Sequence, residues 1–416
     1  MLTLAANVIH QCWKVVAFTV ITTFVAGTLV QINSAAYGNN LVWDDVKRKA
    51  RGQTVYWNAW GGKAEINDFI AWVGEIALSK YDVTIKHVKI DSTAAAVGRV
   101  ASEKIAGRTT GGSIDLIWAN GENFATLKQQ GLLFGPWTHT LPNYQLVATD
   151  KPTNTVDFGE PVDHMEAPYG MAQLTFAFNP RRKTIPPKNA KELLNWAQES
   201  PGRLTYPTPE NWIGNTFLKQ ILMELATDRS ILFKPVESID FDRQTVRLWQ
   251  YLDKLHPALW RNGTEFPADE VQQRTMLADG ELDFNITFGP AETSSAIEQS
   301  ILPPHIRTFV FESGTIGNTH FVSIPFNAKA KEGAMVVANI ILSAKAQAHK
   351  QNPAVWGDMT VLDVTKLSGQ QSKLFADLPI GVATLSLEQL GTPLPEPHYS
   401  WGPALTKAWL ERYRGS

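Results

Sequence analysis

The sequence predicts an α/β protein of two domains, with strand-end loops gathered along one edge of a parallel or mixed sheet. Three observations carry this. The chain has 416 residues, too many for one ordinary hydrophobic core. Short β-branched and aromatic runs alternate with stretches of helical periodicity along most of its length. Two early strand–loop–helix units each end their strand on tryptophan, with asparagine and glycine soon after: Trp57-Asn58-Ala59-Trp60-Gly61-Gly62 and Trp118-Ala119-Asn120-Gly121. Beyond the carboxyl ends of the strands of an open α/β sheet is where ligands sit.

In chain order, Leu41–Arg51 reads as a short helix, its runs Asp44-Asp45 and Lys47-Arg48-Lys49 a solvated face. Gln53–Trp57 is a strand, Asn58–Gly62 its loop, and Ile66, Phe69, Ile70 and Val73 are the buried face of a helix. Tyr81–Ile90 alternates as a strand, Ala94–Ala106 is a helix ending at Gly107, and Ile114–Trp118 is another strand before a helix containing Phe124 and Leu127. Pro136–Pro168 shows no clear period. Ala172–Phe178 is a strand entering the second domain, Ala190–Gln198 a helix, and Gly202–Tyr206 a strand with the loop Pro207–Asn215. Helices follow with Phe217, Leu218, Ile221, Leu222 and Leu225 on one face, then over Phe241–Leu255 and Val271–Leu277. Asp283–Phe288, Phe309–Phe311 and His320–Pro325 are strands, the last after the glycine loop Glu312–Thr319. Lys329–Leu342 is a helix, and Ala344–Ser416 holds several more, with joints at Pro393, Pro395 and Pro397. No fixed-period repeat or low-complexity tract interrupts the series.

Composition excludes several classes. Apolar residues make up 44% and charged residues 19%, as in a soluble globular protein. A net charge of -2 lacks the basic excess of a nucleic-acid binder. The single cysteine, Cys12, allows neither a disulfide framework nor a cysteine metal site. Lys14 precedes the uncharged apolar run Val15–Val30, and small residues at Ser34 and Ala36 suit cleavage after Ala36. Residues 1–36 therefore read as a secretory signal peptide, with an uncleaved anchor as the alternative. Cys12 would leave with it, which suits an oxidising compartment such as the periplasm.

Catalytic motifs are missing: the chain has no phosphate-cradling loop, no GxSxG elbow, no HExxH and no GxGxxG. Its nine histidines stand singly, so neither a metal nor any other cofactor is expected. What recurs is a strand-end loop combining an aromatic with small or amide residues, again at Tyr206-Pro207-Thr208 and Phe288-Gly289-Pro290. Aromatic faces stack and amides give directed hydrogen bonds, an inventory that recognises a small molecule without transforming it. Taken singly each aromatic reads as core; four such loops together read as a cleft. Carboxylate pairs such as Glu281/Asp283 and Asp157/Glu160 keep a secreted carbohydrate-active hydrolase as the alternative.

The stretches Tyr56–Gly62, Ser113–Phe124, Gly202–Pro207 and Gly289–Glu292, with the strand and helix in Gly317–Leu342, resemble the family 1 extracellular solute-binding proteins of ABC importers. The similarity is to their YnjB-like branch, related to thiamine, iron and polyamine binders, and spans most of the chain. It implies a two-lobe periplasmic-binding-protein type II fold with a ligand cleft between the lobes. Lobe 1 would comprise residues 41–170 and 320–370, and lobe 2 residues 171–319 and 371–416. Hinges would lie near Tyr169–Ala172 and Gly314–Thr319. The expected cleft lining is Trp57, Asn58, Trp60, Gly61, Asn120, Glu122, Tyr206, Asn211, Trp212, Gly289, Glu292 and Asn318. Backbone amides at Gly61-Gly62 and Ala291–Glu292 would suit an anion or hydroxyl, whereas Glu122, Glu210 and Glu292 would suit a cation. Thiamine-like compounds, sugars, polyamines and oxyanions are the ligand candidates. The implied partners are an ABC permease and its ATPase, with no nucleic acid, the protein working as a monomer.

Overall fold

The computed structural model describes residues 42–182 and 185–414. The signal segment 1–36, with its expected cleavage point and Cys12, lies outside the described residues.

Helix α1 (residues 42–50) buries Trp43, Val46 and Ala50 and leads into strand β1 (Thr54–Trp60). This strand runs three residues past the predicted end. Asn58, Ala59 and Trp60 pair with Val88, Lys89 and Ile90 of β2 (Thr84–Ile90), so the expected loop shrinks to Gly61-Gly62-Lys63. The alternation explains it, because Val55, Trp57 and Ala59 are all fully buried on one face. Helix α2 (Ala64–Tyr81) buries Ile66, Phe69, Ile70, Val73 and Ala77 and ends at Asp82 in the left-handed conformation. Helix α3 (Thr93–Ile105), β3 (Leu116–Trp118) and α4 (Glu122–Gln129) repeat the unit. Strands β4 (Val156–Asp157) and β5 (Glu160–Pro161) form a small antiparallel ribbon.

Strand β6 (Glu166–Gln173) starts inside the stretch that showed no period. All eight of its residues are buried, so there was no alternation to read. It pairs antiparallel with β10 (Gly317–Ser323), which closes a mixed five-stranded sheet of order β2-β1-β3-β10-β6. Helices α10 (Lys331–Ile341) and α11 (Ala344–Gln351) follow β10.

The second lobe carries a three-stranded antiparallel sheet, with β7 (Thr175–Phe178) between β8 (Phe284–Thr287) and β9 (Arg307–Phe309). The predicted strand Gly202–Tyr206 is extended but outside this ladder. Asp283 N donates to Arg203 O at 2.9 Å; beyond that point the side chain of Gln273, on α8 (Glu270–Ala278), stands between the two segments. Its Nε2 donates to Thr205 O at 2.7 Å and its Oε1 accepts from Ile286 N at 3.3 Å, so a side-chain amide substitutes for a ladder bond. Helices α5 (Ala190–Glu199), α6 (Trp212–Leu225), α7 (Phe241–Leu255), α9 (Glu292–Glu298) and the last helix α14 (Trp401–Tyr413) surround it. Helix α12 (Gly369–Ala376) packs on α11, its Phe375 against the first lobe's core, and α13 (Leu387–Leu390) follows it.

There are two large cores. One gathers Trp57, Phe69, Tyr169, Met171, Val322 and the apolar face of α10; the other gathers Ala172, Phe176, Tyr206, Phe217, Ile316 and Trp409. The chain thus passes from one core to the other between Met171 and Ala172 and returns between Ile316 and Val322.

Each core encloses a buried polar device. In the first, Lys350 is fully buried, its Nζ 2.7 Å from Asp358 Oδ2 and bonded also to the carbonyls of Asp358 and Met359, while His320 Nε2 lies 3.1 Å from Asp358 Oδ1. Burial pushes the Asp358 carboxyl up, but Lys350 and His320 outweigh it and hold it below the usual range. A Cβ at Gly170 would collide with Asp358 Oδ2, so glycine is required there. In the second, Trp409 Nε1 donates to Tyr206 Oη at 2.9 Å and Tyr206 Oη lies 2.7 Å from His256 Nε2. Burial pushes the His256 imidazole down to about 4, so near neutral pH it is uncharged and shares one hydrogen bond with the tyrosine hydroxyl.

Two predictions test these devices. Lys350→Met should cost about 3–5 kcal/mol in urea unfolding at pH 7, because Asp358 is left charged and buried, and adding Asp358→Asn should recover most of it. No recovery would mean that lost packing, not charge, is responsible. For His256 the folded pKa lies below the ordinary 6.5, so its contribution is complete above pH 6.5 and is lost as pH falls towards 4. That loss should reach roughly 3 kcal/mol in melts from pH 7 to pH 4, and His256→Gln should remove this part of the acid sensitivity.

Candidate functional site

The cavity that both lobes wall is about 730 Å³. On the first-lobe side stand Asn120, Gly121, Glu122 and Asn123, at the start of α4. On the other side stand Trp212, Asn215, Thr216 and Lys219 of α6, with Glu396 and part of α14; Asn318 of β10 also lines it. The α4 wall is fixed by its own bonds. Gly121 takes φ +56°, a Cβ there would press on the Phe158 ring at 3.1 Å, and its N–H donates to Asp157 Oδ2 at 2.7 Å. Asn120 Oδ1 accepts from Trp118 Nε1 at 2.9 Å and its Nδ2 donates to Thr319 O, tying this loop to β10.

The opposite wall depends on α6. Asn211 caps it, its side chain accepting from Ile213 N at 2.9 Å. Trp212, Asn215, Thr216 and Lys219 then follow at spacings of three, one and three, which places them on one helical face. Trp212 is 49% exposed and stands edge-on to Phe288, centroids 5.4 Å apart. Lys219 Nζ pairs with Glu396 Oε2 at 2.6 Å and lies 5.0 Å from the Phe158 ring centroid. Both charged groups are buried, so each supplies the partner the other needs.

The sequence-predicted residues therefore divide. Asn120, Glu122, Trp212 and Asn318 meet at this cavity. Asn211 stands at its edge as a helix cap. Trp57 is a correction: it is fully buried and packs edge-on to Tyr169 at 6.3 Å. Asn58 is likewise mid-strand and buried, paired with both β2 and β3. Tyr206 belongs to the second core, its hydroxyl taken up by His256 and Trp409. Of the two aromatics, Trp57 lies inside its strand, three residues before the end, and Tyr206 faces inward.

Trp60, Gly61, Gly289 and Glu292 gather at another edge, where the lobes touch. Lys63, just before α2, pairs with Glu292, the first residue of α9, at 2.6 Å; Thr287 Oγ1 also bonds the carboxylate, and Arg274 is 3.9 Å away. Burial pushes Glu292 up, but Lys63 outweighs it and the carboxyl sits below its usual range. The Trp60 ring covers Gly62, and a Cβ at Gly61 would strike the Lys89 side chain at 2.7 Å. The amides expected to hold an anion here instead flank an ion pair. Lys219, Asn215 and Glu396, which the sequence reading missed, line the main cavity. Among the described residues no group of three or more His, Cys, Asp or Glu is placed to hold a metal ion.

This geometry has counterparts. Residues 74–373 match the family model described as bacterial extracellular solute-binding protein. Protein YnjB of Escherichia coli is 43% identical over 372 residues, covering 89% of this chain and 94% of that protein. Among solved structures, the periplasmic binding protein AfuA of Actinobacillus pleuropneumoniae, with fructose-6-phosphate bound, superposes with TM-score 0.59 at 14% identity, covering 88% of this chain and 99% of that one. The spermidine/putrescine ABC transporter substrate-binding protein PotD of Streptococcus pneumoniae gives 0.59 at 16%, covering 86% and 99%. The fold is thus the two-lobe periplasmic-binding type expected, and the chain belongs to the bacterial extracellular solute-binding proteins, the substrate-binding components of ABC transporters and not enzymes.

Proposed function

We propose that the protein captures a small polar solute in the cavity between α4 and α6, closes its lobes over it, and presents the closed form to the permease and ATPase of an importer in the periplasm. The observation that carries this is the cavity itself, about 730 Å³, with walls from both lobes and Asn318 of a crossing strand in its lining. That volume suits a small molecule. We take lobe 1 as residues 41–170 and 320–370 and lobe 2 as the remainder, with hinges at Tyr169–Ala172 and Gly314–Thr319, where the chain changes core. The apolar segment Val15–Val30 supports export by a cleaved signal. Within the cleft, Trp212 offers a stacking face, Glu122 and Asn318 offer hydrogen bonds, and Asn120 positions the α4 wall. Solutes as different as those named for AfuA and PotD are both candidates by analogy of fold.

No observation favours the hydrolase alternative. Asp283 is paired with Arg203 at 2.8 Å, Glu281 accepts from Trp260 Nε1 at 2.6 Å, and Asp157 and Glu160 face each other as partners in the β4–β5 ribbon.

Binding should be found by a thermal-shift screen of sugars, thiamine compounds, polyamines, amino acids and oxyanions. A solute at about 100 times its dissociation constant adds roughly 2.7 kcal/mol of stability. Trp212→Ala should weaken the solute found by about ten-fold or more without lowering the melting temperature of the free protein by more than a degree or two. Unchanged affinity in that variant would remove the cavity from consideration.

Closure has its own test. Lys63–Glu292 joins the lobes, so Glu292→Gln should raise the radius of gyration of the free protein in small-angle scattering. Apparent affinity should fall by the factor by which the closed fraction falls. An unchanged scattering curve would mean the pair holds nothing shut.

A further inference from the structure

The cleft has a side chamber. A second cavity of about 230 Å³ adjoins it, and Phe158, Asn318 and Glu396 line both. Its remaining polar side chains are Thr153, Asp157 and Thr319, and its apolar wall includes Val156 and Phe233. The acid in this wall is incompletely satisfied. Asp157 is 1% exposed; its Oδ2 accepts the Gly121 N–H, but its Oδ1 is buried with no hydrogen-bond partner. Glu396, 4% exposed, gives Oε2 to Lys219, and its Oε1 has only the Asn318 amide, at 3.5 Å. Glu396 thus has the Lys219 ammonium as its partner, while among the described residues no ion pair reaches the buried Asp157, and burying a carboxylate without a counter-charge is costly. Burial drives the Asp157 carboxyl well above its usual range, Glu396 and Glu160 adding to the push while the Gly121 N–H and the Asn120 side chain oppose it.

The chamber already shows what it accepts. The Lys219 ammonium sits 2.6 Å from one of its carboxylates and 5.0 Å from the face of one of its aromatic rings, the two contacts an alkylammonium makes. The wider cleft has the same bias, with Glu122, Glu210, Glu396 and Glu411 in its lining against Lys219 and Lys407. A divalent metal fits less well. Hard cations take six or more oxygens, and here half the wall is apolar and only two carboxylates are present.

We propose that this chamber is the recognition subsite for a primary ammonium group of the transported solute, with Asp157 Oδ1 and Glu396 receiving the head, Phe158 and Phe233 flanking the carbon chain, and the remainder lying in the cleft towards Trp212. This rests on the cleft being the solute site and narrows its cargo to an ammonium-bearing molecule.

The test compares probes of one shape and different charge. Purified protein is titrated calorimetrically, and melted, with 1,4-diaminobutane, with 1,4-butanediol and with succinate. The diamine should raise the melting temperature and give a measurable binding isotherm, while the diol and the dianion should give neither. Asp157→Asn keeps an acceptor for the Gly121 N–H and should weaken the diamine at least ten-fold; Glu396→Gln should also weaken it. Should the variants unfold, the comparison of probes on the unaltered protein still decides. Equal shifts from diol and diamine, full affinity in Asp157→Asn, or no response to the diamine overturns the proposal. A neutral or anionic solute that binds, is lost in Trp212→Ala and is indifferent to Asp157→Asn overturns it too, while leaving the cleft as the solute site. Failure of every solute in the screen removes both readings.

Discussion

The antiparallel pairing of β6 with β10 is the constraint on which everything else hangs. Gly317, Asn318 and Thr319 lie opposite Gln173, Ala172 and Met171, where each strand leaves one core and enters the other. Two hydrogen-bonded strands crossing together can twist or bend, but they cannot slide past one another without breaking the ladder. The segment after α13 is fitted closely against them: a Cβ at Gly317 would lie 2.6 Å from Pro393 and 3.0 Å from Ala172 O. Such a ladder resists sliding more than rotation, and rotation is the kind of motion that opens and closes a cleft.

Polar chemistry at the crossing is held in place from behind. His320, within β10, stacks on Trp356 at 5.9 Å and bonds Asp358, which is held in turn by Lys350. Asn120 reaches the same strand through Thr319 O. The α4 wall, the crossing strand and the buried ion pair thus form one connected unit. The α6 wall belongs to the other lobe and joins the unit through Glu396, which contacts both Lys219 and Asn318. Glu396 is 4% exposed, so its two partners act in a medium where charge interactions are strong.

Much of this fold was legible because its periodicity is plain. The helix faces over α2 and α6, the first three strands and the paired tryptophan-ended units all follow from apolar spacing. The failures have specific causes. Strand β6 is buried on both faces and shows no alternation. The segment Gly202–Tyr206 has strand composition, but Gln273 occupies the position a ladder partner would take. Trp57 and Tyr206 were assigned to the cleft because sequence fixes that an aromatic ends a run, not which way it points. Lys219 was available: it is the single lysine in the apolar helix Trp212–Leu225, seven residues after Trp212 and so on the same face. Glu396 was not, because it lies among Pro393, Pro395 and Pro397, where no period exists to orient a side chain.

The two edges of the interlobe space differ in a way that bears on how it works. At one edge the lobes are in contact through Lys63–Glu292, Gln299 Nε2 donating to Glu65 Oε1 at 3.5 Å, and Ala291 packed where Gly357 has no side chain. At the other, α4 and α6 stand apart across the main cavity. Contact at one edge and space at the other make the interlobe space asymmetric. The contact edge is satisfied within the protein by a lysine and a glutamate, whereas the open edge carries carboxylates in excess of ammonium groups. The α4–α6 edge, and not the contact edge, is thus where acidic side chains outnumber basic ones.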